Sequence, residues 1–142
     1  MYNIKKFTTK EKDLAAIAFE IRNKVFVEEQ KVDREEEYDS NEDSSTHFLL
    51  LKSEHPIGTA RWRFTDKGIK LERFAILKEH RNGGAGTFLV NEVLKDVLPH
   101  KKYIYLNAQV SAINVYARAG FVVEGELFVE ANIDHYKMVY KG

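Results

Sequence analysis

The sequence predicts an α+β (mixed α/β) fold in a single domain over residues 1–142. A central mixed, mostly antiparallel sheet is flanked by helices, in the order β-α-β-β-β-α-β-α-β-β. Three observations carry this. The strand-like runs "THFLLLKS", "IGTARWRF" and "IKLERFAIL" follow one another through short turns, as an antiparallel meander does. Residues 69–108 then read strand–helix–strand, and a helical crossover asks for a parallel pair. Finally, "FVVEGELF" and "DHYKMVY" are separated only by "VEANI", which suits a hairpin.

Taken in order, Tyr2 to Phe7 reads as a short first strand. Thr8 or Thr9 can cap a helix over about 12–27, whose apolar positions Leu14, Ile17, Ala18, Ile21 and Val25 fit helical spacing. Residues 28–43 hold nine acids against Lys31 and Arg34. They read as a solvated loop, or as a rim that attracts a cationic substrate. After the turn "EHPIG", the run "IGTARWRF" sets Gly58, Ala60, Trp62 and Phe64 on one face and Arg61 and Arg63 on the other. That is the pattern of a half-buried strand. "TDKG" turns the chain into the next strand. In the helix expected over 87–98, Phe88, Leu89, Val93, Leu94, Val97 and Leu98 follow a helical period, and Pro99 lies at its end. "KYIYLNA" is a buried strand. "SAINVYARAG" is a short helix with Ser111 as a cap and Gly120 in the stop position.

Composition narrows the functional classes. With 44% hydrophobic residues, 142 residues can build a core without disulfides, and there is no cysteine to form one. The same absence removes thiolate metal sites and a cysteine nucleophile, and fits a reducing cytoplasm. Five scattered histidines show no i,i+4 pair, so no metal site is expected. The 22 basic and 22 acidic residues cancel, which argues against a general nucleic-acid binder. The first residues are charged and lack the apolar segment of a signal peptide, and no apolar run nears a membrane span. A soluble cytoplasmic protein is the expectation.

The chemistry-bearing stretch is "EHRNGGAGTFLVNEVL", at 79–94. Glycine is costly where a helix begins, and one reason to place it there is to bring backbone N–H groups up to a phosphate. A Walker loop would need Lys-Ser or Lys-Thr after its glycines, whereas Thr87 and Phe88 follow Gly86. A dinucleotide fingerprint would need a third spaced glycine and an early βαβ unit.

What remains, Arg81-Asn82-Gly83-Gly84-Ala85-Gly86, resembles the R/Q-x-x-G-x-G/A motif of the GNAT family of acyl-CoA-dependent N-acetyltransferases, through Arg81, Gly84 and Gly86. "ERFAILKEHRNGGAG" resembles that family's fourth strand running into its loop. "AINVYARAGF" resembles its motif A-x-x-(L/F)-Y-x-x-x-G-F, through Ala112, Val115, Tyr116, Gly120 and Phe121. The resemblance covers nearly the whole chain. Many members carry Asn three residues before that alanine, where Gln109 stands here. Upstream, "IRNKVFVEEQ" is similar to a bacterial subgroup of small uncharacterised members, and weakly to acyl-homoserine-lactone synthases.

The resemblance implies acetyl-CoA as cofactor and a small-molecule or peptide amine as acceptor, with no nucleic acid or membrane partner and a homodimer at family level. Backbone donors from Asn82, Gly83, Gly84, Ala85, Gly86 and Thr87 would meet the pyrophosphate, with Arg81 a candidate to pair with a phosphate. Phe74, Ala75 and Ile76 would offer strand backbone to the pantetheine arm, and Gln109 an amide. Tyr116 sits where the family places the acid that protonates the leaving thiolate. Glu72 is the candidate base. Glu28 and Glu29 are candidates to bind the amine, and Arg22 and Arg73 to bind an acidic acceptor or brace Glu29 and Glu72. His135 and His47 are candidates to line the acceptor pocket. Direct transfer from acetyl-CoA to a primary amine is expected. A non-catalytic CoA-binding module and an enzyme of longer acyl chains are the rivals.

Overall fold

Both periodicities resolve into elements in a computed structural model that describes residues 1–142. Seven strands, β1 (Tyr2–Phe7), β2 (Thr46–Lys52), β3 (His55–Phe64), β4 (Ile69–Ile76), β5 (Ile104–Gln109), β6 (Phe121–Glu130) and β7 (Ile133–Tyr140), form one sheet ordered β1-β2-β3-β4-β5-β7-β6. Helix α1 (Lys12–Arg22) runs on through a π-helical stretch, Asn23–Glu29. The single turn α2 (Arg34–Glu37) follows, then α3 (Ala85–Val97) and α4 (Ile113–Arg118). All neighbours are antiparallel except β4 and β5. The meander, the parallel crossover and the closing hairpin are therefore present as expected. The insertion of β7 between β5 and β6 was not legible.

The helices cover opposite faces of the sheet. On one face, Leu89, Val90, Val93, Leu94 and Val97 of α3 pack with Tyr116 of α4 onto Leu50, Ala60, Trp62, Leu71 and Leu106. On the other, Ala15, Ala18, Ile21, Val25 and Phe26 pack onto Phe7, Leu49 and Ala75. Each helix face is rotated slightly from the predicted one. Val90 is buried while Leu98 is exposed, and Ala15 is buried while Ile17 is exposed. At 100° per residue these substitutions move the buried stripe by about one position.

Turns and caps depart further from the reading. The β2–β3 turn is the pair Ser53–Glu54, both with positive φ, and Pro56 lies inside β3 rather than in a turn. Ala131–Asn132 closes β6–β7 in the same way. Positive φ at both central residues lets a two-residue turn match the strand twist. Neither threonine caps α1. Thr8 instead donates its N–H and hydroxyl to the Glu11 carboxylate, at 2.7 and 3.1 Å. Ser111 caps nothing, because a tight 3₁₀ turn over Val110–Ala112 precedes α4.

One glycine is irreplaceable on steric grounds. Gly68 has φ +149°, and a Cβ there would lie 2.3 Å from the carbonyl oxygen of Tyr103. That carbonyl accepts the Ile69 N–H at 2.7 Å, where β4 meets the approach to β5. Gly68→Ala must push this junction apart. It should destabilise the fold by about 2 kcal/mol or more and lower the melting temperature by roughly 5–10 °C in a thermal scan.

Candidate functional site

The site begins with a failure of pairing. β4 and β5 are in register only at Ile69↔Ile104, Lys70↔Tyr105 and Leu71↔Leu106. Beyond Leu71 they part. The cause lies in β4, where the register with β3 slips between Thr59 and Arg61 and Arg73 adopts φ +59°. A bulge of this kind bends its strand and re-aims its side chains. Leu71, Phe74 and Ile76 thus share the α3 face, while Ala75 turns to the α1 face. A cavity of about 940 Å³ opens where the strands separate.

The glycine loop stands over this cavity. Gly84 has φ +89°, which only glycine adopts freely, and it precedes α3 with no side chain capping the helix. The first N–H groups of a helix have no intrahelical partner, and here no cap replaces one. A Cβ at Gly86 would meet only Val115 Cγ1, at an ordinary 3.7 Å. The protein itself would thus admit alanine there. Gly84, Gly86 and Thr87 line the cavity, and so do Asn82 and Arg81. Gly83 and Ala85 do not. The Gly83 carbonyl accepts the Tyr2 hydroxyl at 2.9 Å, and the Ala85 methyl is buried in the core. These two can contribute backbone only.

Arg81 is already paired. Two of its nitrogens donate to the Glu29 carboxylate at 2.6 and 2.7 Å, and its Nε donates to the Ile76 carbonyl at 2.9 Å. Glu29 is therefore no free amine anchor, and Arg81 no free phosphate ligand; the pair ties the π-helical stretch to the loop. Glu28 is likewise engaged, accepting from Asn23 at 2.8 Å. Gln109 lines the cavity with its amide donating to Gln30 at 2.8 Å. Tyr116 is buried, and its ring meets Phe74 edge-on at 5.6 Å. Burial pushes its phenol up, so it stays a proton donor at neutral pH.

The largest correction concerns the charged residues. Arg61, on the strand face read as solvent-exposed, is fully buried. It meets Asp39 at 2.8 Å, Glu42 at 2.9 Å and Glu72 at 2.9 Å. Arg22, a candidate to bind an acidic acceptor, is also buried and donates to Glu37 and Glu42 at 2.7 Å each. It cannot reach an acceptor. Arg73 braces Glu37 and Asp39, both at 3.4 Å, and not Glu72. The segment read as a solvated or substrate-attracting acidic loop thus sends Glu37, Asp39 and Glu42 inward onto arginines. His47 belongs to the same interior, with its Nε2 2.9 Å from the Glu42 carbonyl.

Glu72 does line the cavity, but it is a poor base. Burial would raise its carboxyl, yet the hydrogen bond from Arg63 and the charges of Arg61 and Lys70 outweigh that and bring it down to about 2. A carboxylate so stabilised does not take a proton near neutrality. His135 is the better-placed acceptor. Its Nδ1 lies 2.6 Å from the Ile133 carbonyl, which can only accept, so Nδ1 carries a proton and Nε2 is the acceptor atom of the neutral ring. The sequence reading missed Gln30, Arg63, Lys70, Asn107 and Arg118 in the cavity wall. Two of these had a signal. Arg61 and Arg63 on β3 face Glu72 and Lys70 on β4 in antiparallel register, a four-charge cluster readable from period two.

Because the Glu72 carboxyl is held down to about 2 from an ordinary value of 4.5, its ionisation stabilises the folded state. That contribution is complete above about pH 4.5 and is lost as pH falls toward 2. Urea midpoints should therefore fall between pH 5 and pH 3, and Glu72→Gln should flatten part of that fall.

Comparison with known proteins agrees with this architecture. Residues 8–141 match the Acetyltransferase (GNAT) domain family. The chain is similar to the uncharacterised N-acetyltransferase YjcF of Bacillus subtilis, 39% identical over 124 residues that cover 86% of this chain and 89% of that one. It is similar in fold to ElaA of Escherichia coli, with a TM-score of 0.85 at 24% identity over 99% of this chain and 100% of that one. An acyl-CoA N-acyltransferase from Pseudomonas aeruginosa gives a TM-score of 0.84 at 23% identity, again over 99% and 100%. A matched family domain over almost its whole length, carried on a sheet that parts between its fourth and fifth strands, makes this chain a member of the GNAT acetyltransferase family, an acyl-CoA N-acyltransferase.

Proposed function

We propose that the protein moves an acetyl group from acetyl-CoA to a primary amine by direct transfer, with both substrates bound together. The observation that carries this is the cleft between β4 and β5, capped by an open helix N-terminus and floored by Tyr116. The residues present suit the cofactor. Uncapped N–H groups at the head of a 13-residue helix suit a pyrophosphate, and Gly86 leaves room that the protein does not need. The β5-facing edge of β4 along Phe74, Ala75 and Ile76 has no strand partner, although the Ile76 carbonyl is taken by Arg81, and such an edge suits the amide groups of a pantetheine arm.

Acetyl-CoA, when bound, supplies the acetyl group as an activated thioester. The chain's own residues then manage two protons. An alkylammonium has a pKa of about 10.4, so the amine must lose a proton before it can attack. His135, which lines the cavity with its Nε2 3.9 Å from the Glu130 carboxylate, accepts that proton directly or through water. The Tyr116 hydroxyl donates to the departing sulfur. With no cysteine in the chain, no acyl-cysteine forms. Glu72 holds charge in the wall and carries no proton.

Three measurements test this reading. Calorimetry should detect acetyl-CoA binding to the wild-type protein, and no heat at high micromolar concentration ends the proposal. Tyr116→Phe should lower turnover by about 100-fold with little change in acetyl-CoA affinity; an unchanged rate removes Tyr116 as the acid. His135→Gln should cut turnover by about 10- to 100-fold, with acetyl-CoA affinity again retained.

A further inference from the structure

The α1-side wall of the cavity holds an imbalance of hydrogen-bond donors. Glu72 is the carboxylate at its centre, and both its oxygens are spent. Oε1 accepts from Arg61 Nε at 3.1 Å and from Arg63 Nε at 2.8 Å. Oε2 accepts from Arg63 Nη2 at 3.5 Å and lies 3.2 Å from Lys70 Nζ. The cations are not spent. An ammonium has three donors and a guanidinium five, and neither has an acceptor. Lys70 engages only Glu72, and Arg63 makes no hydrogen bond beyond that same carboxylate. Both line the cavity, with about a fifth of each side chain exposed.

The acids nearest this pair are engaged elsewhere, and the free carboxylates of the lining, Glu36 and Glu130, make no contact with Lys70 or Arg63. Asp39 and Glu37 are held by Arg61, Arg22 and Arg73. Glu36 and Glu130 are exposed residues of the cavity lining. The position is also apt. Lys70 is paired with β5, while Glu72 lies one turn of the pleat beyond, where the strands have parted. A group seated on Lys70 and Arg63 would lie immediately beside the opening through which an acyl group is delivered.

We propose that the acceptor is an anionic amine, an amino carboxylate of the amino-acid type, whose carboxylate is bound by Lys70 and Arg63. This rests on the acyltransferase reading above, and it reverses the cationic acceptor suggested by the acidic segment. Glu37, Asp39 and Glu42 of that segment are consumed internally, so at this wall the spare charged donors are those of Lys70 and Arg63.

The test pairs each acceptor with its neutral counterpart. A panel of amino acids, with the corresponding amino acid amides and decarboxylated amines, is assayed with acetyl-CoA by thiol release. Wild-type protein should favour the carboxylates by about tenfold or more in kcat/KM, the scale of a charge-assisted hydrogen bond. Lys70→Gln should raise KM for the carboxylates by about tenfold and leave KM for amides and for acetyl-CoA within about twofold. Amides or decarboxylated amines used as well as the acids would overturn the inference while leaving the acyltransferase reading intact. An equal effect of Lys70→Gln on acids and amides would overturn it too. Transfer to no amine at all would remove that reading and this inference together.

Discussion

Arg61 is the constraint on which the site depends. It is a fully buried guanidinium in the middle of the sheet, reached by three carboxylates from three parts of the chain: Asp39, Glu42 and Glu72. Burying so many charges is costly, and such clusters often add little net stability. Their effect here is positional. Removing one partner would strand the others out of water, so the segment around 37–42 has only one low-energy place to lie, across the α1 face of β3 and β4. Arg22, itself buried, holds Glu37 and Glu42 from the helix side.

That anchoring bears on the opening of the cleft. Arg73, at the bulged position of β4, reaches across to the carbonyls of Glu36 and Glu37 and to Asp39. A non-glycine residue at φ +59° needs surroundings that hold it there. The same acidic segment that satisfies Arg61 therefore braces the bulge, and the bulge carries β4 away from β5. The cavity is a consequence of how charges were buried. Its two sides then differ in character. On the α3 side it presents backbone N–H groups, apolar side chains and one phenol. On the α1 side it presents charged groups of both signs, Lys70 and Arg63 with Glu36 and Glu130, together with His135.

The elements most legible in the sequence were those with local causes. Alternation along "IGTARWRF", the strand–helix–strand passage and the glycine cluster each point to one geometry, because side-chain period and φ freedom act over a few residues. The loop and its helix lie where they were expected, and thirteen-residue α3 differs from the predicted 87–98 only at its ends. The misreadings share one cause. Arg22, Glu29, Arg61, Glu72 and Arg81 were read as surface or substrate-facing charges because isolated charges normally are solvated. Each has an opposite charge brought to it from elsewhere: 15 residues away for Arg22 and Glu37, 52 for Arg81 and Glu29.

The sequence by itself determined the fold class, the parallel crossover, the uncovered helix start at Gly84 and the presence of a phenol on α4. These follow from patterns that a short segment carries within itself. Only the tertiary structure decided which charges remain available for chemistry. Ion pairing between distant segments depends on sheet register and on where the chain returns, and neither is written in any local window. So the glycine loop could be read from one stretch of sequence, while the charges of the opposite wall emerged only once Glu37, Asp39, Glu42 and Glu72 had been matched with their arginines.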